Sequence, residues 1–222
     1  MQKYKIWDGA VRFFHWSQVL LLGGLWYSAE QELYGIHMTL AYSLAALLLA
    51  RLVWALVGSD NARFGHFVYS PAEVWHYWRQ KPQSGVDGHN PLSGYMVLLL
   101  LLLVLLQFIT GLMTTDDVFT EGPLVAAVDS SWVALASSFH RLNLDILLIL
   151  IGLHVLAALW HQWRGDKVIS QLVTGKSEQP LSQPLQFQKF YWFLLLVLLF
   201  GFGFYSWQGE QLWLLLQADL AG

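Results

Sequence analysis

The sequence predicts an all-α integral membrane protein: a four-helix transmembrane bundle followed by a fifth, C-terminal transmembrane helix. Three observations carry this. The 222 residues are 56% hydrophobic and only 12% charged, with mean hydropathy +0.46, against about 25% charged residues in a soluble domain. Five apolar runs can each be extended to the ~20 residues a bilayer requires. Lys and Arg are confined almost entirely to alternate loops, as a multi-span topology demands.

The runs are WSQVLLLGGLWYSA, MTLAYSLAALLLARLVWALVG, YMVLLLLLLVLLQFITGLM, LDILLILIGLHVLAALW and FYWFLLLVLLFGFGFYSW. They place helices near 13–30, 36–58, 92–114, 139–163 and 190–208. Backbone in hydrocarbon must satisfy its own hydrogen bonds, so helix is the expected conformation. The first and fourth runs are less uniformly apolar than the others. Lys3, Lys5 and Arg12 ahead of the first could also begin a signal peptide, but Tyr27 stands where cleavage after Ala29 needs a small residue.

Orientation follows from the cations. Lys3, Lys5 and Arg12 precede the first helix, Arg63, Arg79 and Lys81 lie between the second and third, and Arg164, Lys167, Lys176 and Lys189 between the fourth and fifth. The opposite loops, EQELYG and TDDVFTEGPLVAAVDSSWVALASS, contain neither Lys nor Arg. The positive-inside rule then puts the N-terminus in the cytoplasm and the C-terminus outside. Arg141, at the start of the fourth helix, alone breaks the pattern. No cysteine is present, which excludes c-type haem attachment, iron–sulfur clusters and disulfides within this chain. A net charge of −3 gives no reason to expect a nucleic-acid partner.

Eight histidines remain to be explained: His15, His37, His66, His76, His89, His140, His154 and His161. His66, His76 and His89 fall in the cytoplasmic loop and need no special purpose. Ionisable groups within the membrane usually mark function. His140 and His154 are fourteen residues apart, about 21 Å along a helix and within roughly 40° of one direction. His15 lies at the cytoplasmic end of the first helix, and His37 at the outer end of the second. With the fourth helix running inward, depth pairs His15 with His154 and His37 with His140.

Facing imidazoles at two levels suit bis-histidine ligation of haem iron. Zinc is a rival, although it prefers four ligands, and so is a proton relay, which Asp145 could join. Haem propionates require cations: Arg12 is one turn before His15, and Arg141 adjoins His140. Arg12 is equally explained as a positive-inside anchor. His161, about 10 Å beyond His154 towards the cytoplasm, is a candidate quinone or proton site, together with Trp160, Arg51 and Trp54. Trp residues also form ordinary interfacial belts.

WDGAVRFFHW, with its Arg-x-x-His-Trp pattern, RLVWALVGSDNARF at 51–64, GHNPLSG at 88–94 and FHRLNLDILLILIGLHV at 139–155 resemble, in order, the bacterial cytochrome b561 and nickel-hydrogenase b-type cytochrome family. The likeness covers about residues 5–176. It implies a four-helix core in the bacterial inner membrane, with two b haems held by His15, His37, His140 and His154. It also implies electron transfer between a quinone pool and a periplasmic c-type cytochrome or a dehydrogenase or hydrogenase subunit. The expected organisation is a di-haem four-helix domain over 1–176, then a linker, fifth span and periplasmic segment over 177–222. Some relatives are associated with superoxide oxidation coupled to quinone reduction. The acidic outer loop, with Asp116, Asp117, Glu121 and Asp129, suits a basic protein better than an anionic radical.

Overall fold

A computed structural model describes residues 3–80, 91–115, 120–181 and 183–221. It contains α1 (Gly9–Glu30), α2 (Tyr34–Val57), the short α3 (Phe64–Phe67), α4 (Pro71–Gln80), α5 (Pro91–Gly111), α6 (Ser130–Trp163), α7 (Val168–Thr174) and α8 (Phe190–Ala221). A two-residue strand pair joins β1 (Tyr4–Lys5) to β2 (Lys176–Ser177) in antiparallel register. Two compact units result: Met1–Tyr95 with Ala158–Gly222, and Met96–Ala157.

All five helices expected from the apolar runs are present. Among the described residues, Tyr34–Val57, Leu92–Gly111, Ser130–Trp163 and Phe190–Ala221 are long and apolar enough to cross a bilayer. Helix α1 forms, but its Arg12, His15, Ser17 and Gln18 dilute the apolar run, and it stands outside those four. Large apolar side chains such as Ile149, Leu156, Leu198 and Phe202 are exposed on the candidate spans. A water-soluble fold seldom leaves apolar surface of that extent uncovered, whereas lipid accommodates it.

In the first unit, the N-terminal segment is tied down by buried polar contacts. Asp8 caps α1: its Oδ1 accepts the Val11 amide at 2.7 Å, and its Oδ2 accepts the Trp54 indole N–H at 2.9 Å. Asn61 Nδ2 donates to the Ile6 carbonyl at 3.0 Å. Behind β1, the Ile6 amide donates to the Gly175 carbonyl at 2.9 Å. Gly175 ends α7 at φ +77°, a left-handed conformation that glycine adopts without the clash a Cβ would bring. Asp8→Ala removes both the cap and the acceptor of a buried indole. We expect a loss of about 1–3 kcal/mol, measured as a lower thermal midpoint in detergent. An unchanged midpoint would contradict the capping role.

Helix α2 is the core of this unit. Leu44, Ala45, Ala46, Leu47, Leu48 and Ala50 are buried on all sides, and the small residues permit close approach of neighbouring helices. Helix α8 packs antiparallel along it. Trp54 meets Phe193, Tyr42 meets Phe204 and Trp207, and Gly35 meets the Leu215–Leu216 backbone. The stretch expected as a linker is strapped to the same unit. The Gln186 amide donates to Asp60 Oδ2 at 2.7 Å, the Gln188 amide donates to Ser59 Oγ at 2.9 Å, and Lys5 Nζ lies over Phe187 at 4.1 Å.

Three features differ from expectation. The fourth helix, expected to begin near 139, starts at Ser130 and takes in SSWVALASS, a stretch that reads as loop. The fifth helix does not end near 208 but continues to Ala221. GEQLWLLLQADLA contains no proline, and its apolar stretch prolongs the helix beyond the expected end. The second–third loop contains α4, which opens on a capping box. The Ser70 amide donates to Glu73 Oε2 at 2.7 Å, and the Glu73 amide donates to Ser70 Oγ at 3.3 Å. These bonds hold the Glu73 carboxyl below its usual range.

In the second unit, polar groups link α5 to α6 through otherwise apolar surfaces. Asn143 Nδ2 donates to the Leu103 carbonyl at 2.9 Å and to Gln107 Oε1 at 2.6 Å. After α5, the chain folds back through Gly122, whose amide donates to the Thr114 carbonyl at 2.8 Å. A Cβ at Gly122 would lie 2.5 Å from the Leu112 carbonyl oxygen, so the close return requires glycine.

Candidate functional site

Two of the sequence-predicted histidines sit in the same local arrangement, one in each unit. In the first, His37 occupies the opening turn of α2. Its Nδ1 lies 3.0 Å from the Leu25 carbonyl oxygen and 3.3 Å from Ser28 Oγ on α1. In the second, His140 lies on α6, with Nδ1 3.0 Å from the Gln107 carbonyl oxygen and 3.2 Å from Thr110 Oγ1 on α5. Each ring is therefore met by a carbonyl and by a hydroxyl three residues further along the facing helix. Each hydroxyl also donates back to its own helix, Ser28 to the Leu25 carbonyl at 3.1 Å and Thr110 to the Leu106 carbonyl at 2.8 Å.

The chemistry of this arrangement is specific. A carbonyl oxygen only accepts, so Nδ1 is the protonated nitrogen and the lone pair resides on Nε2. A neutral imidazole whose other nitrogen donates to a backbone carbonyl is oriented for metal ligation through that lone pair. Haem iron commonly takes such an imidazole as an axial ligand. Around His140 the support is denser. Gln107 Nε2 donates to the His140 carbonyl at 3.0 Å while its Oε1 accepts from Asn143. Gly111 lies against the ring, where an added Cβ would stand 3.0 Å from Cε1. Ser28, Thr110 and Asn143 are all buried, and buried polar groups in an apolar helix require partners of this kind.

His15 lies half-buried on α1, its ring edge-on to Trp16 at 5.1 Å. His154 is half-buried on α6 in the second unit. His161, near the end of α6 and in the first unit, has its Nδ1 2.7 Å from Asp166 Oδ2, with both side chains partly exposed. A turn with Gly165 at φ +96° and Lys167 at φ +52° carries Asp166 back to it. Among the described residues, no three His, Asp or Glu side chains gather as they would around a four-coordinate zinc.

The family model for prokaryotic cytochrome b561 matches residues 6–175. The chain belongs to this family. With its long apolar helices it is accordingly a multi-pass membrane protein. It is also similar to a probable Ni/Fe-hydrogenase B-type cytochrome subunit of Rhizobium leguminosarum bv. viciae, 26% identical over 166 residues, which cover 64% of this chain and 66% of that protein. The match thus spans just under two thirds of the relative's length. No solved structure matches the chain. Helix α8 lies wholly outside the cytochrome b561 match.

The remaining candidates of this b561-family chain divide by burial. Arg12 donates from Nε to the Leu172 carbonyl at 3.2 Å and from Nη2 to the Val173 carbonyl. A guanidinium there complements the negative end of α7. Arg51 is 3% exposed, donates to the Ala62 carbonyl at 3.0 Å and lies over Phe14. Trp54 is 2% exposed, its N–H taken by Asp8. Arg141 and Asp145 are exposed, as is Trp160, with Arg164 over its ring. In the loop between α5 and α6 Glu121 and Asp129 are exposed, whereas Asp116, Asp117, His89 and the first three residues of GHNPLSG lie outside the described residues. Pro91 of that motif opens α5, as proline does in a first helical turn.

The candidate histidines are legible in the sequence, but the groups that seat His37 and His140 are not. Ser28, Gln107, Thr110 and Asn143 were legible only as isolated polar residues in apolar stretches. Gln107 is the only amide in YMVLLLLLLVLLQFITGLM, and that was the available signal.

Proposed function

We propose that the chain is a di-haem b-type cytochrome of the bacterial inner membrane, passing electrons between the quinone pool and a redox protein at the periplasmic face. The observation that supports it most is the shared carbonyl-and-hydroxyl seat of His37 and His140. His15, His37, His140 and His154 are the proposed axial ligands. Helix α1 is the proposed fifth span, with the N-terminus in the cytoplasm and the C-terminus outside. A bound b haem supplies reversible one-electron chemistry at its iron.

The protein's own groups do the rest. Leu25 and Gln107 keep the proton on Nδ1 through their carbonyls, and Ser28, Thr110 and Gly111 fix the rings. Arg141 is the proposed partner of a propionate at the outer side, a role that would account for an arginine against the positive-inside rule. Arg12, already bound to α7, retains its charge for the same purpose at the cytoplasmic side. His161, whose Nδ1 lies against the Asp166 carboxylate, is the proposed proton-exchanging group of a quinone site. Arg51 and Trp54 are committed to packing, which favours His161 over them. The periplasmic partner is proposed as a c-type cytochrome or a dehydrogenase or hydrogenase subunit, in keeping with the name of the rhizobial relative.

In purified protein, quinol should reduce the b-type absorbance. His161→Ala should slow that reduction at least tenfold, ~1.4 kcal/mol of barrier, while dithionite still reduces the full absorbance. Normal quinol-driven reduction in the variant would remove His161 from the site. Rapid reduction of quinone by superoxide in the isolated protein would replace the proposed partner with a stand-alone superoxide:quinone oxidoreductase.

A further inference from the structure

We infer that the C-terminal helix is a positioning element of the His37 site, acting through Asp219. Helix α2 begins without a side-chain cap of its own, because Leu33 stands at the N-cap position. The Ile36 amide, one residue before His37, donates instead to Asp219 Oδ2 at 2.7 Å, across 183 residues of sequence. A carboxylate at a helix N-terminus satisfies an orphan amide and complements the positive end of the helix dipole. The neighbouring position is built for this approach. A Cβ on Gly35 would lie 2.5 Å from the Leu215 carbonyl carbon and 2.6 Å from the Leu216 nitrogen. Tyr42, further along α2, is held by Phe204 and Trp207.

The turn that carries His37 is thus fixed from both sides. Helix α1 supplies the acceptor for the ring, and α8 supplies the acceptor for the backbone. The first belongs to the region that matches the family, while Asp219 lies well beyond it. Asp219 contributes a fixed anchor for the backbone from which the imidazole projects, and a negative charge beside that turn. A negative charge near a haem favours the ferric state and lowers the midpoint potential. This role rests on His37 being a haem ligand.

The test is a redox titration followed by visible absorbance, on the full-length protein in detergent. His37→Ala first identifies which of the two b components depends on this site. In Asp219→Asn, that component should move to a higher midpoint while the other stays in place, and Asp219→Glu should return it towards the wild-type value. Both midpoints unchanged in Asp219→Asn would overturn the inference, even if thermal stability falls, because a tie that only secures α8 predicts that pattern. Should Asp219→Asn fail to accumulate, Asp219→Ser is read by the same criteria. A wild-type protein without b haem would fail before any variant is compared. That result would overturn the haem reading itself, together with the role built on it.

Discussion

His140→Ala is expected to remove one of two b haems and leave the other, so that the reduced-minus-oxidised absorbance falls by about half. His37→Ala should do the same, and because depth in the sequence pairs these two residues, the component lost should be the same one. The double variant should then lose no more than either single variant. Around His140 a graded series follows. Gln107→Ala removes a side chain that donates to the His140 carbonyl and accepts from Asn143, yet leaves the Gln107 carbonyl on Nδ1. Substitutions at such supporting positions typically cost ~10–100-fold in metal affinity. Gly111→Val places methyl groups where even a bare Cβ would stand 3.0 Å from the ring, and should approach the full effect of His140→Ala. Haem content after gel filtration distinguishes these levels. Full haem retention in His140→Ala would remove it from the ligand set.

Gly35→Val should strongly destabilise the packing of α2 against α8 in the first unit. The atoms its Cβ would meet belong to the backbone of α8, which cannot move aside by changing rotamer, so the two helices must separate. Overpacking of this kind costs about 1–3 kcal/mol, occasionally more. Gly24→Ala is the informative contrast. Its Cβ would come within 2.9 Å of one Leu40 methyl, at the flexible end of a side chain, and the thermal midpoint should change little. Equal effects at the two glycines would contradict the reading of α2 and α8 as backbone-to-backbone neighbours.

The sequence made the helices legible because a bilayer imposes its own length scale. Runs of aliphatic residues at 38–58, 95–113 and 144–160 have few alternatives to helix. The polar loops were less legible. Helix α4 rests on a capping box at Ser70–Glu73 within a segment that reads as charged loop. The end of α8 was misjudged because Gly209 and Glu210 resemble the edge of a span, although the chain beyond them becomes apolar again. Depth and angular spacing single out four histidines as candidates. Their supports are not singled out, because they are set by contacts remote in sequence: thirty-three residues separate Gln107 from His140, and 183 separate Ile36 from Asp219. A backbone carbonyl as hydrogen-bond partner leaves no residue-type signature at all.

Haem content per polypeptide is the most direct measurement. Extracted as the pyridine haemochrome and referred to protein from quantitative amino-acid analysis, the purified chain should yield two non-covalently bound b haems. A ratio of one would leave two of the four histidines without the proposed role. A ratio of zero, in protein purified from haem-replete cells, would contradict the account.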